Sequence, residues 1–176
     1  MKVRRVVTGH TADGKATVAS DKEVEAITLS AFDIGEFHRL WGADALPTFP
    51  DDGSPRPMQA YFPPVGGIRF GLFSVPPEQA EPPAQADLEM GLRELEEKFP
   101  GMLHVMEQDN PGMHTTNTID FEYVISGEVW LELDGGVQVH LRPGDTVVQN
   151  GTRHAWRNKG SEPCRMVVCM VGAQRA

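Results

Sequence analysis

The stretch GMHTTNTIDFEYVISGEVWLELDGG, residues 112–136, sets His114, Thr116, Asp120 and Glu122 at even spacings ahead of a glycine turn. An imidazole, a hydroxyl and two carboxylates on one segment read as half of a metal site, or as the acid and base of a proton-transfer site. Glu122 lies two residues after Asp120, so on an extended strand the two share a face. Turned inward, Glu122 would be desolvated and its pKa would rise unless a cation stood near. That environment suits a general acid or base, or an extra ligand. A bulge turning it outward would instead pair it with Arg153 or Arg157. His154 and Trp156 share a face in the same way, which makes Trp156 either an aromatic pocket wall or core filling. Trp130 alternates with Glu132 and falls on the outer face, under N-terminal strands or a second copy.

These side chains need elements to hold them. From Met102 onward the chain reads as short alternating strands: MLHVMEQ, HTTNTIDFEYVI, EVWLELD, VQVHLRP, DTVVQ, HAWRN and CRMVVCMV. Turn pairs such as Ser126-Gly127, Pro143-Gly144 and Asn150-Gly151 separate them, which is the pattern of an antiparallel sandwich or barrel. Upstream, residues 3–20 read as a hairpin around Asp13-Gly14, and 24–32 and 67–75 read as strands. In the latter, Ile68, Phe70, Leu72 and Ser74 share a face. PPEQAEPP, residues 76–83, reads as a proline-rich linker. A helix follows over 84–99, with Leu88, Leu92, Leu95 and Phe99 recurring at helical spacing and Pro100-Gly101 ending it. The expected organisation is a β-rich extension over 1–83, a linking helix over 84–101 and a barrel over 102–176.

Fourteen prolines and eighteen glycines favour turns and strands over a helical bundle. The net charge of −9 argues against nucleic acid or an anionic membrane as the main partner. Cys164 and Cys169 lie five apart on one expected strand, pointing to opposite faces, so no disulfide is expected between them. Free thiols, with no signal peptide and no long apolar run, lead to the expectation of a cytoplasmic protein.

The last seventy residues resemble the cupins, small β-barrels with two sequence motifs. Counting back from Gly127, Asp120 falls at the first motif's glutamate, Thr116 at its second histidine and His114 at its first. In the second motif, PGDTVVQNGTRHAWRN supplies Gly144, Gly151, His154 and Asn158, with Gln149 in place of the usual proline. The resemblance implies a jelly-roll (double-stranded β-helix) barrel and a homodimer. It also implies a metal site of His114, Asp120 and His154, one imidazole short because of Thr116. Two histidines and a carboxylate suit iron or zinc, with manganese or nickel also possible. On one straight strand His114 and Asp120 would lie roughly 20 Å apart, so the chain must turn between Thr115 and Thr118.

Two readings stay open. In one, the barrel is a metal-dependent oxygenase, decarboxylase or isomerase acting on a small organic molecule. Glu122 then moves protons, and Thr116, Gln149, Trp156 and His104 contact the substrate, His104 standing in for the missing histidine. In the other, no metal is bound, His114 and His154 are polar walls bonded to Asp120, and the barrel only binds or senses a small molecule. His10, His38 and His140 read as surface or structural.

Overall fold

The computed structural model describes residues 2–31, 33–78 and 84–176. Residues 79–83 of the proline-rich stretch and Phe32 lie outside the described residues. β1 (Val3–His10) and β2 (Ala16–Val24) form a two-stranded antiparallel arm. The turn between them uses Gly14 at φ 80°, a left-handed conformation that costs glycine nothing. The expected strand over 24–32 does not form. β2 ends at Val24, and only Ile27 is bridged, to Phe37. Glu94 Oε2 accepts hydrogen bonds from both the amide and the hydroxyl of Ser30 (2.7 and 2.9 Å), tying this segment to a helix instead.

A five-stranded antiparallel sheet follows the order β3 (Phe37–Ala43), β4 (Ile68–Val75), β10 (Cys164–Gly172), β5 (Thr118–Ser126), β8 (Thr146–Gln149). A three-stranded sheet, β7 (Gln138–Leu141), β6 (Val129–Glu132), β9 (Ala155–Arg157), supplies the opposite wall. Burial alternates strictly along β10 and along β5 as far as Val124, so every second residue points into the barrel. Val124, Met166 and Cys164 of the first sheet meet Val129, Leu131 and Leu141 of the second in one apolar core. Both cysteines are free, Cys164 buried and Cys169 half-buried.

α1 (Gln85–Lys98) buries Leu95, and Phe99 at its C-terminal end is fully enclosed. Leu92 is left partly exposed, at 37%, and Gly91 takes its place on the buried face. These residues join Leu29 and Met102 in a second core beside β3. The expected strand MLHVMEQ is instead a helical turn, α2 (Met102–Val105), with only Met106 bridged to His114. The cause lies in α1. Glu96 Oε1 accepts from the Gly101 amide (2.8 Å) and Oε2 from the Leu103 amide (3.4 Å), satisfying donors at the start of the new turn.

Phe99 contacts Phe37 and Tyr61 edge-on at centroid distances of 4.9 and 5.2 Å. Phe99→Ala should therefore destabilise the chain by about 3–5 kcal/mol, the range for truncating an enclosed aromatic. Urea unfolding checks this; a loss below about 1 kcal/mol would mean that α1 does not contribute to the core.

Candidate functional site

Both halves of the site meet at one pair of backbone hydrogen bonds. His114 N donates to His154 O and His154 N to His114 O, each at 2.9 Å. The imidazoles consequently lie side by side, centroids 4.2 Å apart. Each ring is oriented by a carbonyl two residues before it. His114 Nδ1 lies 3.0 Å from Gly112 O, and His154 Nδ1 lies 2.9 Å from Thr152 O. A carbonyl can only accept, so Nδ1 carries the proton and each neutral ring presents Nε2 as an acceptor. Burial lowers both histidines below their usual range. For His154 the neighbouring His114 adds to that, to about 4.

The turn that carries His154 is fixed from two sides. Gln149 is buried, and Thr152 donates its hydroxyl to Gln149 Oε1 (3.1 Å). Arg175 Nη2 donates to Thr116 O (2.9 Å) and Gly151 O (2.8 Å), while its Nε donates to Asn117 Oδ1 (2.7 Å). One guanidinium thus joins the 114–118 crossing to the 149–152 turn. Gly151 sits at φ 59°, and a Cβ there would come 2.9 Å from Thr116 O, so the close approach needs glycine.

Asp120 and Glu122 both point inward on β5 and are buried. Among the described residues, Asp120 Oδ1 and Glu122 Oε2 have no hydrogen-bond partner. No guanidinium faces Glu122 from the outside: Arg153 is taken by Glu107 (2.6 Å) and Arg157 by Glu132 (2.7 Å). The outward bulge considered from the sequence is therefore absent. Burial raises Asp120 to about 6, partly offset by the Thr118 hydroxyl. Burial, with Asp120 adding to it, raises Glu122 well above the usual carboxylate range. Burial thus drives the carboxyls and the imidazoles alike toward their neutral forms.

The structure brings His114 and His154 together, and Trp156 lies 5.8 Å from His154, edge to face. Trp156 also packs on the apolar core, the core-filling use foreseen for it. Thr116 is buried and its hydroxyl accepts from Thr118 Oγ1 (2.8 Å). His104 is exposed on α2, away from the strand position that made it a substitute histidine. Trp130 lies flat against His140, centroids 4.1 Å apart, rather than under N-terminal strands. Among the described residues no three histidine, cysteine, aspartate or glutamate side chains gather closely enough to hold a metal ion. The set of His114, Asp120 and His154 is thus not assembled: the imidazoles are held by the 114–154 bridge, Asp120 by its place on β5 beside Glu122. Neither imidazole is hydrogen-bonded to Asp120.

Sequence reasoning missed Tyr61 and Arg39. Burial pushes the Tyr61 phenol up, Arg39 opposes this, and Asp120 and Glu122 add to it. Tyr61 therefore lies within electrostatic reach of both acids. Arg39 stands 5.7 Å from its ring. The only sequence signal was an aromatic pair between prolines, QAYFPP, in a segment with no periodicity.

Comparison with known proteins supports what this geometry outlines. Residues 101–170 match the family model of the cupin domain, Cupin_2. Residues 101–170 of this chain are thus a cupin domain. Its fold is the cupin jelly roll, with an arm, two further strands and a helix ahead of the matched residues. Over 48 residues it is 50% identical to Oryzines biosynthesis cluster protein J of Aspergillus oryzae, a stretch covering 27% of each chain. Over 176 residues it is 25% identical to a cupin-domain-containing oxidoreductase, fogC, of Aspergillus ruber, covering 97% of this cupin and 72% of that protein. Among solved structures, the cupin domain of Cnp3 from Schizosaccharomyces pombe aligns over 98% of this chain and 89% of its own, at 10% identity and a TM-score of 0.48. Among the described residues, no helix of this cupin is long and apolar enough to cross a membrane.

The raised Glu122 pKa has a consequence for stability. A carboxyl that keeps its proton in the fold contributes stability that is complete below its ordinary pKa. That contribution fades as pH rises through the folded value. Glu122→Gln mimics the protonated acid and removes the pH dependence. Its melting temperature relative to the parent should therefore climb between pH 5 and pH 9, by several degrees. A difference that stayed flat across that range would show Glu122 to be ionised in the folded protein.

Proposed function

We propose that this cupin barrel is an enzyme that binds a small organic carbonyl compound and moves protons on it, an isomerase-type reaction. The single observation that carries the reading is that burial drives the carboxyls and the imidazoles of this barrel toward their neutral forms. Glu122, with an unpartnered oxygen, shares the barrel with two imidazoles whose Nδ1 atoms face carbonyls and whose Nε2 atoms are left as acceptors. An acid that is protonated and a base that is free at the same pH can act in a single step.

In that step an imidazole Nε2 takes a proton from the carbon next to the carbonyl. The Glu122 carboxyl gives its proton to the carbonyl oxygen, and the enol that results is neutral. Returning the proton to the same or another carbon regenerates or isomerises the compound. Asp120 holds the Glu122 proton in place by disfavouring a second negative charge beside it. Trp156 supplies an apolar wall, and the Tyr61 phenol lies within electrostatic reach of both acids. No step is assigned to a divalent ion, because the donors for one do not gather here. Relatives named cupin-domain-containing oxidoreductases support an enzyme over a bare binding module.

The test is deuterium exchange. The protein is incubated in D₂O with a panel of keto acids, aryl ketones and enones, and mass spectrometry reads the label at carbon. Wild type should exchange at least one class, and Glu122→Gln should lower that rate about a hundredfold or more. No exchange by wild type with any class, or full exchange by Glu122→Gln, would sink the proposal. Ligand binding without exchange would support the sensor reading instead.

A further inference from the structure

A second concavity lies outside the barrel. The β1–β2 arm, the 47–53 loop and the outer face of the five-stranded sheet enclose a cleft of about 550 Å³. Small-molecule sites commonly fall between about 300 and 1,000 Å³. Trp41 and Phe70 form its floor, and Val6 and Phe49 its walls. Trp41 pairs with Phe70, Phe70 with Cys169, and Cys169 with Phe121, the residue between Asp120 and Glu122. The floor therefore faces away from the two acids, and the sheet separates this cleft from the barrel site.

The walls are fastened to one another. His10 N donates to Asp51 O (2.7 Å), and a Cβ on Gly9 would collide with the Asp52 backbone, so arm and loop meet there without a gap. Arg5 Nη1 donates to Leu40 O (2.8 Å), which ties the arm to β3. The cleft is thus a built part of the fold, formed before any ligand arrives.

Its charge is unbalanced. Arg4 and Arg5 follow each other on β1 and point to opposite faces. Arg4 makes two hydrogen bonds to Asp21 on the open side, at 2.7 and 2.6 Å. Arg5 turns toward the sheet and stands 5.6 Å from the Trp41 ring. Its Nε is buried without an acceptor, and no carboxylate among the described residues pairs with it. Asp51, the acid in the lining, is already held by Arg56 (2.6 Å) and by the Gly53 amide (2.7 Å). A guanidinium carries five donors and keeps its charge at any ordinary pH. The cleft therefore sets a cation with no counterion beside three aromatic rings. A carboxylate answers the cation, because charge-assisted hydrogen bonds are the strong ones. A flat ring answers Trp41, Phe49 and Phe70, because aromatic pairs gain beyond the area they bury. A polyanion such as a nucleic acid fits poorly on a chain of net charge −9.

We infer that this cleft is a second ligand site, which takes a small aromatic carboxylate with its ring on Trp41 and Phe70 under Phe49 and its carboxylate toward Arg5. The site stands apart from the proton chemistry proposed for the barrel, and either can hold without the other.

The chain's three tryptophans read the two sites separately: Trp41 lines the cleft, Trp156 packs in the barrel, and Trp130 lies against His140. The probe is 2-naphthoate, titrated into isotope-labelled protein while the indole N–H signals are followed, each assigned with a Trp→Phe variant. It should move the Trp41 signal along a single-site curve and leave Trp130 in place. The uncharged 2-naphthamide and the ringless octanoate should each bind at least about fivefold more weakly. Arg5→Met should weaken 2-naphthoate by about tenfold or more, while His154→Ala leaves the Trp41 response unchanged. Should Arg5→Met fail to fold by circular dichroism, Phe49→Ser replaces it, since Phe49 is 80% exposed and its loss should weaken the probe similarly. A Trp41 signal that stays still at millimolar 2-naphthoate, or a cleft variant that keeps full affinity, would overturn the site. A naphthamide or an octanoate that binds as well as 2-naphthoate would overturn the ligand class.

Discussion

Two carboxyl groups, two residues apart on one strand, are buried with no cation to neutralise them. Most of what surrounds the site answers that constraint. An isolated buried carboxylate is costly, so burial favours the protonated form of Glu122. The cationic side chains that could have discharged it are committed elsewhere. Arg69 is buried and spends itself on carbonyls of residues 43, 60, 61 and 68 and on Asp44. Arg153 and Arg157 face other acids. Those bonds maintain the acidity of the interior by keeping charge out of it.

The parts that hold the site come from distant stretches of the chain. Arg175 binds the two crossings that carry the histidines. Arg69, on β4, holds the loop around Tyr61 through the carbonyls of Ala60 and Tyr61. Helix α1 is not merely a cover. Its glutamates 94 and 96 accept backbone hydrogen bonds from segments on either side, which decides that residues 25–31 and 102–105 are not strands. β3 and β4 extend the same sheet that carries Asp120 and Glu122, so the N-terminal half of the chain builds part of the inner wall.

Much of this was legible in the sequence because strand periodicity is simple. Alternation put Asp120 and Glu122 on one face, and spacing put Cys164 and Cys169 on opposite ones; the structure has both pairs so. The jelly roll was legible from the turn pairs and the second motif. What was not legible depended on side chains acting at long range. Apolar spacing alone gave no hint that Glu94 and Glu96 would cap backbone far away, so two segments were read as strands. Tyr61 sits in a proline-rich connection without period, and only tertiary folding brings it near the acids. Whether His114, Asp120 and His154 converge is a matter of side-chain direction at a fraction of an ångström per bond, which residue spacing does not encode.

The paired backbone hydrogen bonds between His114 and His154 carry one more consequence. They fix the two rings within 4.2 Å of each other in a site that already resists positive charge. Whichever ring accepts a proton raises the cost of charging its neighbour. Protonating one ring therefore opposes protonating the other, and the two histidines behave as one acceptor shared between two positions.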